Sequence, residues 1–179
     1  RNATLLVFQA DHGYSPEERT FFGGGSAGSL RGAKACLFEG GLRVPAIVSL
    51  PGRIPQGEQR DQLVVGCDWL PTIAALCDVP LPRQKLDGKD ISAVLMSAAA
   101  PTPHDSFYWH LGAGKKAQWA ARQANWKLLG NPTDTSHKAP LTKNDQLFRV
   151  DLETDPSEMH NRAAERPEIV ERLKQLQAN

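Results

Sequence analysis

The sequence predicts an α/β fold followed by a small subdomain made of an antiparallel sheet and a terminal helix. Residues 5–8 and about 46–50 are short apolar runs with the β-branched and aromatic content of strands buried on both faces. Residues 68–77 carry the spacing of an amphipathic helix. Residues 107–152 contain several short apolar stretches separated by turns, as an antiparallel meander does.

The first predicted strand ends abruptly in Asp11, His12 and Gly13. Glycine readily adopts the positive φ that a sharp turn after a strand can require. Ligands of open α/β sheets bind just beyond the carboxyl ends of the strands, and both Asp and His side chains donate lone pairs to divalent ions. Asp11 and His12 are therefore candidates for half of a metal site. The alternative is an aspartate that caps the following turn beside a solvated histidine.

A glycine-rich segment at residues 23–28 matches the spacing G-x-G-x-x-G. The dinucleotide-binding fingerprint needs a helix that opens directly at the motif after a strand. In this chain a polar stretch with charged residues separates the strand from the glycines. We therefore predict a surface loop near a site rather than a nucleotide-binding turn.

Lys34 and Arg43 precede the second predicted strand, which Pro45 and Pro51 bracket as prolines can at strand ends. A lysine ammonium is a compact charge suited to one oxygen of a tetrahedral anion, whereas arginine offers a forked donor. Both residues are candidates for anion contact. The alternative for each is a surface charge or an ion-pair partner.

The helix predicted at residues 68–77 has Pro71 in its first turn, where proline is tolerated. A further helical turn or two is predicted around Val94. The apolar face of the first of these helices is predicted to comprise Leu70, Ile73, Ala74 and Cys77.

Residues 98–103 are rich in small residues and proline, which indicates a linker. We therefore predict two domains, a core piece at residues 1–97 and a C-terminal subdomain at residues 98–179. The subdomain is predicted to hold about four antiparallel strands, at residues 107–109, 118–122, 126–129 and 146–152. A terminal helix beginning at Pro167 should cover one face of that sheet, through a stripe of Ile169, Val170, Leu173 and Leu176.

Composition excludes several classes of function. Hydrophobic residues make up 40% and charged residues 23% of the chain, as in globular proteins. The net charge of +1 predicts no nucleic-acid or anionic-membrane partner, and no apolar run approaches the length of a membrane span. Cys36, Cys67 and Cys77 form no C-x-x-C pair, so we predict buried free thiols.

The chain has no initiator methionine and opens almost directly on its first predicted strand. A buried strand needs neighbours on both sides, and little else in the chain could supply a full sheet. We therefore expect a piece of a longer protein. Any targeting signal would lie upstream of this sequence.

An ordered series of motifs spans nearly the whole chain. The series comprises FQADHG at residues 8–13, LRGAK at 30–34, EGGLRVP at 39–45, DWLPT at 68–72, WKL at 126–128 and LFRVDLETDPSE at 147–158. In this order the motifs resemble the C-terminal part of a type I, formylglycine-dependent sulfatase of the alkaline phosphatase-like superfamily. The resemblance implies the C-terminal portion of an alkaline phosphatase-like α/β/α sandwich, followed by the small subdomain.

The same resemblance implies hydrolysis of a sulfate ester. Asp11 and His12 would bind a divalent cation, usually calcium, with magnesium or another divalent ion as the alternative. Lys34 would contact the sulfate. The N-terminal half of the same enzyme would supply two further carboxylates and a formylglycine nucleophile. Metal and lysine would together offset charge on the sulfuryl oxygens.

The resemblance also bears on substrate and location. The substrate would be a sulfated small molecule or a sulfated carbohydrate, and His110, with His104 and Lys115, lies in a subdomain whose loops can approach it. The alternative for these three residues is a solvated loop. Bacterial relatives are commonly periplasmic or secreted, and animal ones lysosomal or secreted.

Two departures from the family pattern leave alternatives open. Many sulfatases have asparagine where this chain has His12, and calcium prefers oxygen ligands. None of the three cysteines lies in a C-x-P-x-R signature, so we predict that the isolated chain is inactive. The alternatives are a phosphodiesterase or phosphonate monoester hydrolase of the same superfamily, and a non-catalytic binding module.

Overall fold

The structure, a computed structural model, describes residues 4–18 and 23–177. Short 3-10 turns at Gly66–Asp68 and Gly114–Lys116 accompany the regular elements. Those elements are β1 (Leu6–Gln9), α1 (Glu39–Leu42), β2 (Ala46–Ser49), α2 (Trp69–Leu76), α3 (Ser92–Met96), β3 (Ser106–Leu111), β4 (Gln118–Gln123), β5 (Trp126–Gly130), β6 (Leu147–Asp151) and α4 (Pro167–Gln175). No helix within the described ranges is long and apolar enough to cross a membrane.

The described residues form two compact units. The first contains residues 4–8 and 47–105, and the second contains residues 9–46, apart from 19–22, together with residues 106–177. The segment that carries Asp11, His12 and Lys34 thus belongs with the C-terminal strands. The predicted division of the chain into residues 1–97 and 98–179 stays a prediction.

Strands β1 and β2 pair as a two-stranded sheet, where both strands were predicted. Several of their apolar side chains are exposed, with Leu6 at 55%, Phe8 at 63% and Ile47 at 60%. The prediction that these strands are buried on both faces is therefore wrong for the described residues. A pleated strand needs an element against each face to bury both sets of side chains.

Helix α2 confirms the predicted helix, but its buried face differs from the predicted one. Leu70 and Ile73 are exposed, whereas Thr72 is fully buried. The hydroxyl of Thr72 donates to the carbonyl of Asp68 (2.6 Å) and accepts from the amide of Ile91 (3.0 Å). These hydrogen bonds turn the Thr72 side of the helix inward, toward the chain that leads into α3.

The prediction of three buried thiols is confirmed for Cys36 and wrong for the other two cysteines. Cys67 and Cys77 are both exposed. They lie at the two ends of α2, one in the 3-10 turn before it and one directly after its last residue.

The second unit contains a four-stranded antiparallel sheet with the order β3-β4-β5-β6, which confirms the predicted meander. Strands β4 and β5 form the predicted hairpin. Gln123 pairs with Trp126, so Ala124 and Asn125 make a two-residue turn. Ala124 has a φ of 52°, as tight hairpin turns demand.

Alternate side chains of this sheet face opposite sides and form two separate cores. On one side, the α1 face, the sheet packs against the segment before α1; this core comprises Ala120, Leu129, Phe148, Val150, Cys36, Leu37 and Phe38. On the other side, the α4 face, the sheet packs against the terminal helix; this core comprises Trp119, Ala121, Leu128, Ile169, Val170 and Leu173. The predicted covering of one face by the terminal helix is confirmed.

Candidate active site

The turn that follows β1 carries Asp11, His12 and Gly13 and lies against α1. The amide of Gly13 donates to the carbonyl of Gly41 (3.0 Å). A Cβ on Gly13 would collide with the carbonyl oxygen of Gly40, so the close approach of the two backbones requires glycine. The position of the Asp11–His12 turn is therefore set by main-chain contact with α1.

The imidazole of His12 faces the neighbouring carboxylate. Its Nδ1 lies 2.9 Å from the carbonyl oxygen of Gly13, and its Nε2 lies 3.6 Å from Oδ2 of Asp11. Because a carbonyl oxygen only accepts, this contact places the proton of a neutral imidazole on Nδ1 and leaves the Nε2 lone pair toward Asp11. The Asp11 side chain is 85% exposed. The two donor atoms therefore lie side by side and accessible.

This pair of donors fits a divalent cation. Metal-binding histidines commonly donate their second ring N–H to a carbonyl or carboxylate, as His12 does to Gly13. Within residues 4–18 and 23–177, no group of three or more His, Cys, Asp or Glu side chains could hold a metal ion. Asp11 and His12 can thus be part of a ligand set, and their metal-binding role stays a prediction.

Lys34 lies on a segment whose backbone is tied to the same turn. Its amide donates to the carbonyl of Tyr14 (2.9 Å), which follows the Asp11–Gly13 turn directly. The amide of Gly32 is anchored in turn by the hydroxyl of Ser136 (2.9 Å). The Lys34 side chain is half-buried. The structure thus ties the backbone of Lys34 to the residue that follows the Asp11–His12 turn. The contact of Lys34 with sulfate stays a prediction.

Arg31 anchors the start of this segment inside the second unit. Its side chain is 1% exposed, and its guanidinium contacts Oδ2 of Asp134 (2.9 Å) and the carbonyls of Ala139 (2.9 Å) and Glu158 (3.1 Å). Burial raises the pKa of Asp134, but hydrogen bonds from Ser136 and Arg31 outweigh it and hold that pKa below its usual value. The Asp134 carboxyl group therefore releases its proton more readily than an ordinary aspartate, which favours the ion pair with Arg31.

A buried cluster of charges, here called the charged triad, consists of Glu39, Lys127 and Glu158. The Nζ of Lys127 lies 2.7 Å from Oε1 of Glu39 and 2.9 Å from Oε1 of Glu158. The other carboxylate oxygen of Glu158 accepts the amide of Glu39. Lys127 and Glu158 are fully buried, and the nearby Nη1 of Arg122 lies 3.9 Å from Oε2 of Glu39. Buried charges are costly unless paired, so the three act as one unit.

Sharing one ammonium gives the two carboxyls different acidities. Burial raises the pKa of Glu39, but the charges of Lys127, Arg122 and Arg43 outweigh it and leave this pKa below its ordinary value. Burial raises the pKa of Glu158 to about 7, against the charge of Lys127 and with the charge of Glu39 adding to the rise. Burial lowers the pKa of Lys127, but the two carboxylates outweigh burial and leave this pKa above its ordinary value. Glu158 is thus the member of the triad that titrates near neutral pH.

Sequence reasoning missed the charged triad. The alternation of β5 places Lys127 on the same face as Leu129, which is buried on the α1 face. A lysine at an inward strand position is a signal for a buried ion pair. Its partner Glu39 lies 88 residues away, however, and nothing local identifies it. The short helix α1 at Glu39–Leu42 also has no counterpart among the predicted elements.

The histidines considered for substrate contact lie in different settings. His110 is exposed on β3. Its ring stacks on that of Tyr108, with the ring centroids 6.5 Å apart, and its backbone pairs with Trp119 of β4. Its role in substrate binding stays a prediction. His104 is 4% exposed, and its Nε2 lies 2.9 Å from both carboxylate oxygens of Asp68 in the first unit. The expectation of a loop residue open to substrate or solvent is therefore wrong for His104.

The comparisons with known proteins identify the class of protein. Residues 33–179 match the family described as N-sulphoglucosamine sulphohydrolase, C-terminal. The chain belongs to the sulfatase family and corresponds to the C-terminal part of its members.

Among individual relatives, the chain is 33% identical to human arylsulfatase A over 191 residues, which covers 97% of the chain and 37% of the relative. It is 30% identical to human steryl-sulfatase over 199 residues, which covers 98% of the chain and 34% of the relative. The chain therefore spans about a third of the length of the curated relatives it matches.

Solved structures show the same fold. The crystal structure of Ps i-CgsB matches with a TM-score of 0.79 at 24% identity, over 98% of this chain and 36% of that one. The PsFucS1 sulfatase from Pseudoalteromonas sp. matches with a TM-score of 0.74 at 20% identity, over 99% of this chain and 36% of that one. The predicted fold class, mixed α/β with an antiparallel C-terminal subdomain, is confirmed.

Proposed function

We propose that the complete protein containing this chain hydrolyses sulfate esters, and that this chain supplies one part of the active site. The supporting observation is the hydrogen bond from the Lys34 amide to the Tyr14 carbonyl. It holds a lysine beside the Asp11–His12 turn in a chain of the sulfatase family. A bound cation and a lysine ammonium acting together would offset the negative charge of a sulfate group.

Asp11 and His12 are the proposed ligands of a divalent cation. The carboxylate of Asp11 and the Nε2 lone pair of His12 would hold it, while the Gly13 carbonyl keeps the imidazole oriented. Bound there, the cation would offset negative charge on the sulfuryl oxygens. We propose calcium as this cation. Magnesium or another divalent ion is the alternative, because a nitrogen ligand is softer than the oxygen ligands that calcium prefers.

Lys34 is the proposed catalytic and sulfate-binding residue of this chain. Its ammonium would contact a sulfate oxygen and stabilise the charge that develops there in the transition state. The nucleophile, a formylglycine, would come from the N-terminal part of the complete protein, which is the partner we propose for this chain.

The relatives suggest the substrate class. Their names include an arylsulfatase and a steryl-sulfatase. Solved neighbours include a complex of Ps i-CgsB with k-i-k-neocarrahexaose and a complex of BT4656 with D-Glucosamine-2-N, 6-O-disulfate. We propose a sulfated small molecule or a sulfated carbohydrate as substrate, with exposed His110 as a further contact.

Turnover of an aryl sulfate by the complete protein tests this function. Lys34→Ala should lower kcat by about 10²–10³-fold, the effect of removing one donor that stabilises transition-state charge. The matched control is Lys174→Ala, because Lys174 pairs with Glu171 on the surface of α4. Unchanged kinetics in Lys34→Ala would remove Lys34 from the site. The isolated 179-residue chain should show no turnover.

A phosphodiesterase or phosphonate monoester hydrolase is the second candidate. The observation in its favour is the histidine nitrogen beside Asp11, where an all-oxygen pair would suit calcium better. The two functions are separated by comparing the kcat/KM of the complete protein for an aryl sulfate with its kcat/KM for a phosphate diester of the same aryl group. A higher value for the aryl sulfate supports the sulfatase, and a higher value for the phosphate diester supports the second candidate. A complete protein that binds such esters and turns over none of them would be a binding module.

A further inference from the structure

Glu158 joins two backbone segments that lie more than a hundred residues before it. Its carbonyl oxygen accepts a hydrogen bond from Nη1 of Arg31, which lies 127 residues earlier in the chain. Its carboxylate accepts a hydrogen bond from the amide of Glu39, which lies 119 residues earlier. The remaining carboxylate oxygen lies 2.9 Å from Nζ of Lys127. One buried residue thus holds the start of the Lys34 segment and the start of α1 together.

The backbone at Glu158 is itself held in an unusual conformation. Its φ is 54°, in the left-handed region that residues other than glycine seldom adopt. The amide of Glu158 donates to the carbonyl of Asp155 (3.1 Å), and the Asp155 side chain accepts the amides of Met159 and His160 (3.2 and 2.9 Å). Residues in such conformations persist where the surrounding contacts over-determine them, often at functional sites.

Two short paths lead from Glu158 to the candidate active site. Along the first, Glu39 begins α1, whose Gly41 carbonyl accepts the amide of Gly13 (3.0 Å) next to His12. Along the second, Arg31 opens the segment that ends at Lys34, and its carbonyl accepts the amide of Gly40 (2.7 Å). Each path begins with one hydrogen bond that involves a side chain, from the Glu39 amide to the Glu158 carboxylate or from the Arg31 guanidinium to the Glu158 carbonyl. Beyond that link, each path continues through consecutive residues and main-chain hydrogen bonds, which leave little freedom for adjustment.

We propose that Glu158 is a positioning residue for sulfate ester hydrolysis, holding the Asp11–His12 turn and Lys34 in register through Glu39 and Arg31. This inference rests on the proposed function. Glu158 does not touch substrate; it acts through the two segments it joins.

Glu158 positions the Asp11–His12 turn and Lys34 in its ionised form. A carboxylate can accept the Glu39 amide and pair with the Lys127 ammonium at once, whereas a protonated carboxyl would present a proton toward that ammonium. The groups that face it are Lys127 from β5, Glu39 from α1 and Arg31 at its carbonyl, with Arg122 and Arg43 acting through Glu39. Since burial raises the pKa of Glu158 to about 7, positioning should improve as the pH rises through neutrality.

Kinetics of the complete protein test the proposal. Glu158→Gln keeps an oxygen that can accept the Glu39 amide but removes the charge, and should lower kcat by about 10–100-fold at pH 7.5 with a small change in KM. Glu158→Asp keeps the charge and should recover part of this loss. The rise of wild-type kcat across pH 7 should be absent in Glu158→Gln. The control is Glu171→Gln, a surface carboxylate on α4.

Amide hydrogen exchange gives a readout that is independent of turnover. In Glu158→Gln, exchange should rise in residues 13–14 and 31–42 and stay at the wild-type rate in α4. An even rise across all elements would make Glu158 a general stabilising residue and overturn the proposal. A Glu158→Gln variant with the kcat and the pH profile of the wild type would also overturn the proposal. Absence of any ester turnover by the wild type would refute the proposed function, and the exchange pattern would then still decide the role of Glu158.

Discussion

The two faces of the four-stranded sheet are stabilised by different physics. The α4 face buries Trp119, Leu128 and neighbouring apolar side chains against the terminal helix. The α1 face adds the charged triad, with Lys127 between Glu39 and Glu158. Apolar burial is non-directional and tolerates repacking, whereas a buried ion cluster fixes geometry and is lost as a unit. This sheet thus buries charge on the side that holds the Lys34 segment.

The largest expected effect comes from breaking the charged face. Lys127→Met preserves much of the side-chain volume but leaves two buried carboxylates without their shared cation. We expect the free energy of unfolding to fall by about 3–5 kcal/mol, measured by urea titration of the complete protein. Lys174→Met on the surface of α4 is the control. A loss no greater than that of the control would mean that the triad is not a unit.

The apolar face should respond differently to a comparable defect. Leu173 is fully buried against the sheet, so Leu173→Ala should lower the free energy of unfolding by about 2–5 kcal/mol. The kcat per folded molecule should stay at the wild-type value, because the core of the α4 face, among the described residues, contains no residue of the Lys34 segment. A fall in kcat matching that of Glu158→Gln would show that the two faces are not functionally distinct.

The pH dependence of stability should also distinguish the triad. The pKa of Glu158, raised by burial to about 7, lies above its ordinary value of 4.5. A raised pKa means that the folded state holds the proton more tightly, so this contribution is complete below pH 4.5 and is lost as the pH rises through 7. The stability of the wild type relative to Glu158→Gln should therefore decrease from pH 4.5 to 7.5 in urea titrations.

Glu39 should show the opposite trend, because Lys127 and the arginines hold its pKa below its ordinary value. Its contribution is present above pH 4.5 and is lost as the pH falls through the lowered pKa. Relative to Glu39→Gln, the wild type should therefore lose stability on acidification. Parallel pH trends in the two variants would contradict the division of roles within the triad.

The smallest effect is expected at the solvent side of α4. Glu171 and Lys174 form an exposed ion pair of 2.7 Å, so Glu171→Gln should change the free energy of unfolding by about 0.5 kcal/mol or less. Added salt should reduce even this difference. A larger loss would show that α4 contributes charge as well as apolar surface.

Local patterns in the sequence predicted the parts of the molecule whose determinants are local. The hairpin of β4 and β5, the stripe on α4 and the turn after β1 all follow from residues close together in the chain. The buried side of α2 was predicted wrongly, because Thr72 reaches a hydrogen-bond partner near α3 that periodicity does not register. The charged triad joins residues from α1, β5 and the turn after β6, so its members acquire a role only once the sheet has assembled.

The bond between the Lys34 amide and the Tyr14 carbonyl has a consequence for how this protein can diversify. It joins two backbone atoms, so substitutions in the loop at residues 23–30, before the buried Arg31, leave the bond available. Lengthening a flexible loop costs little, about 0.6 kcal/mol for each doubling of its length. Variants of this chain can therefore gain or lose loop residues, and with them surface chemistry beside the site, while Lys34 stays anchored beside the Asp11–His12 turn.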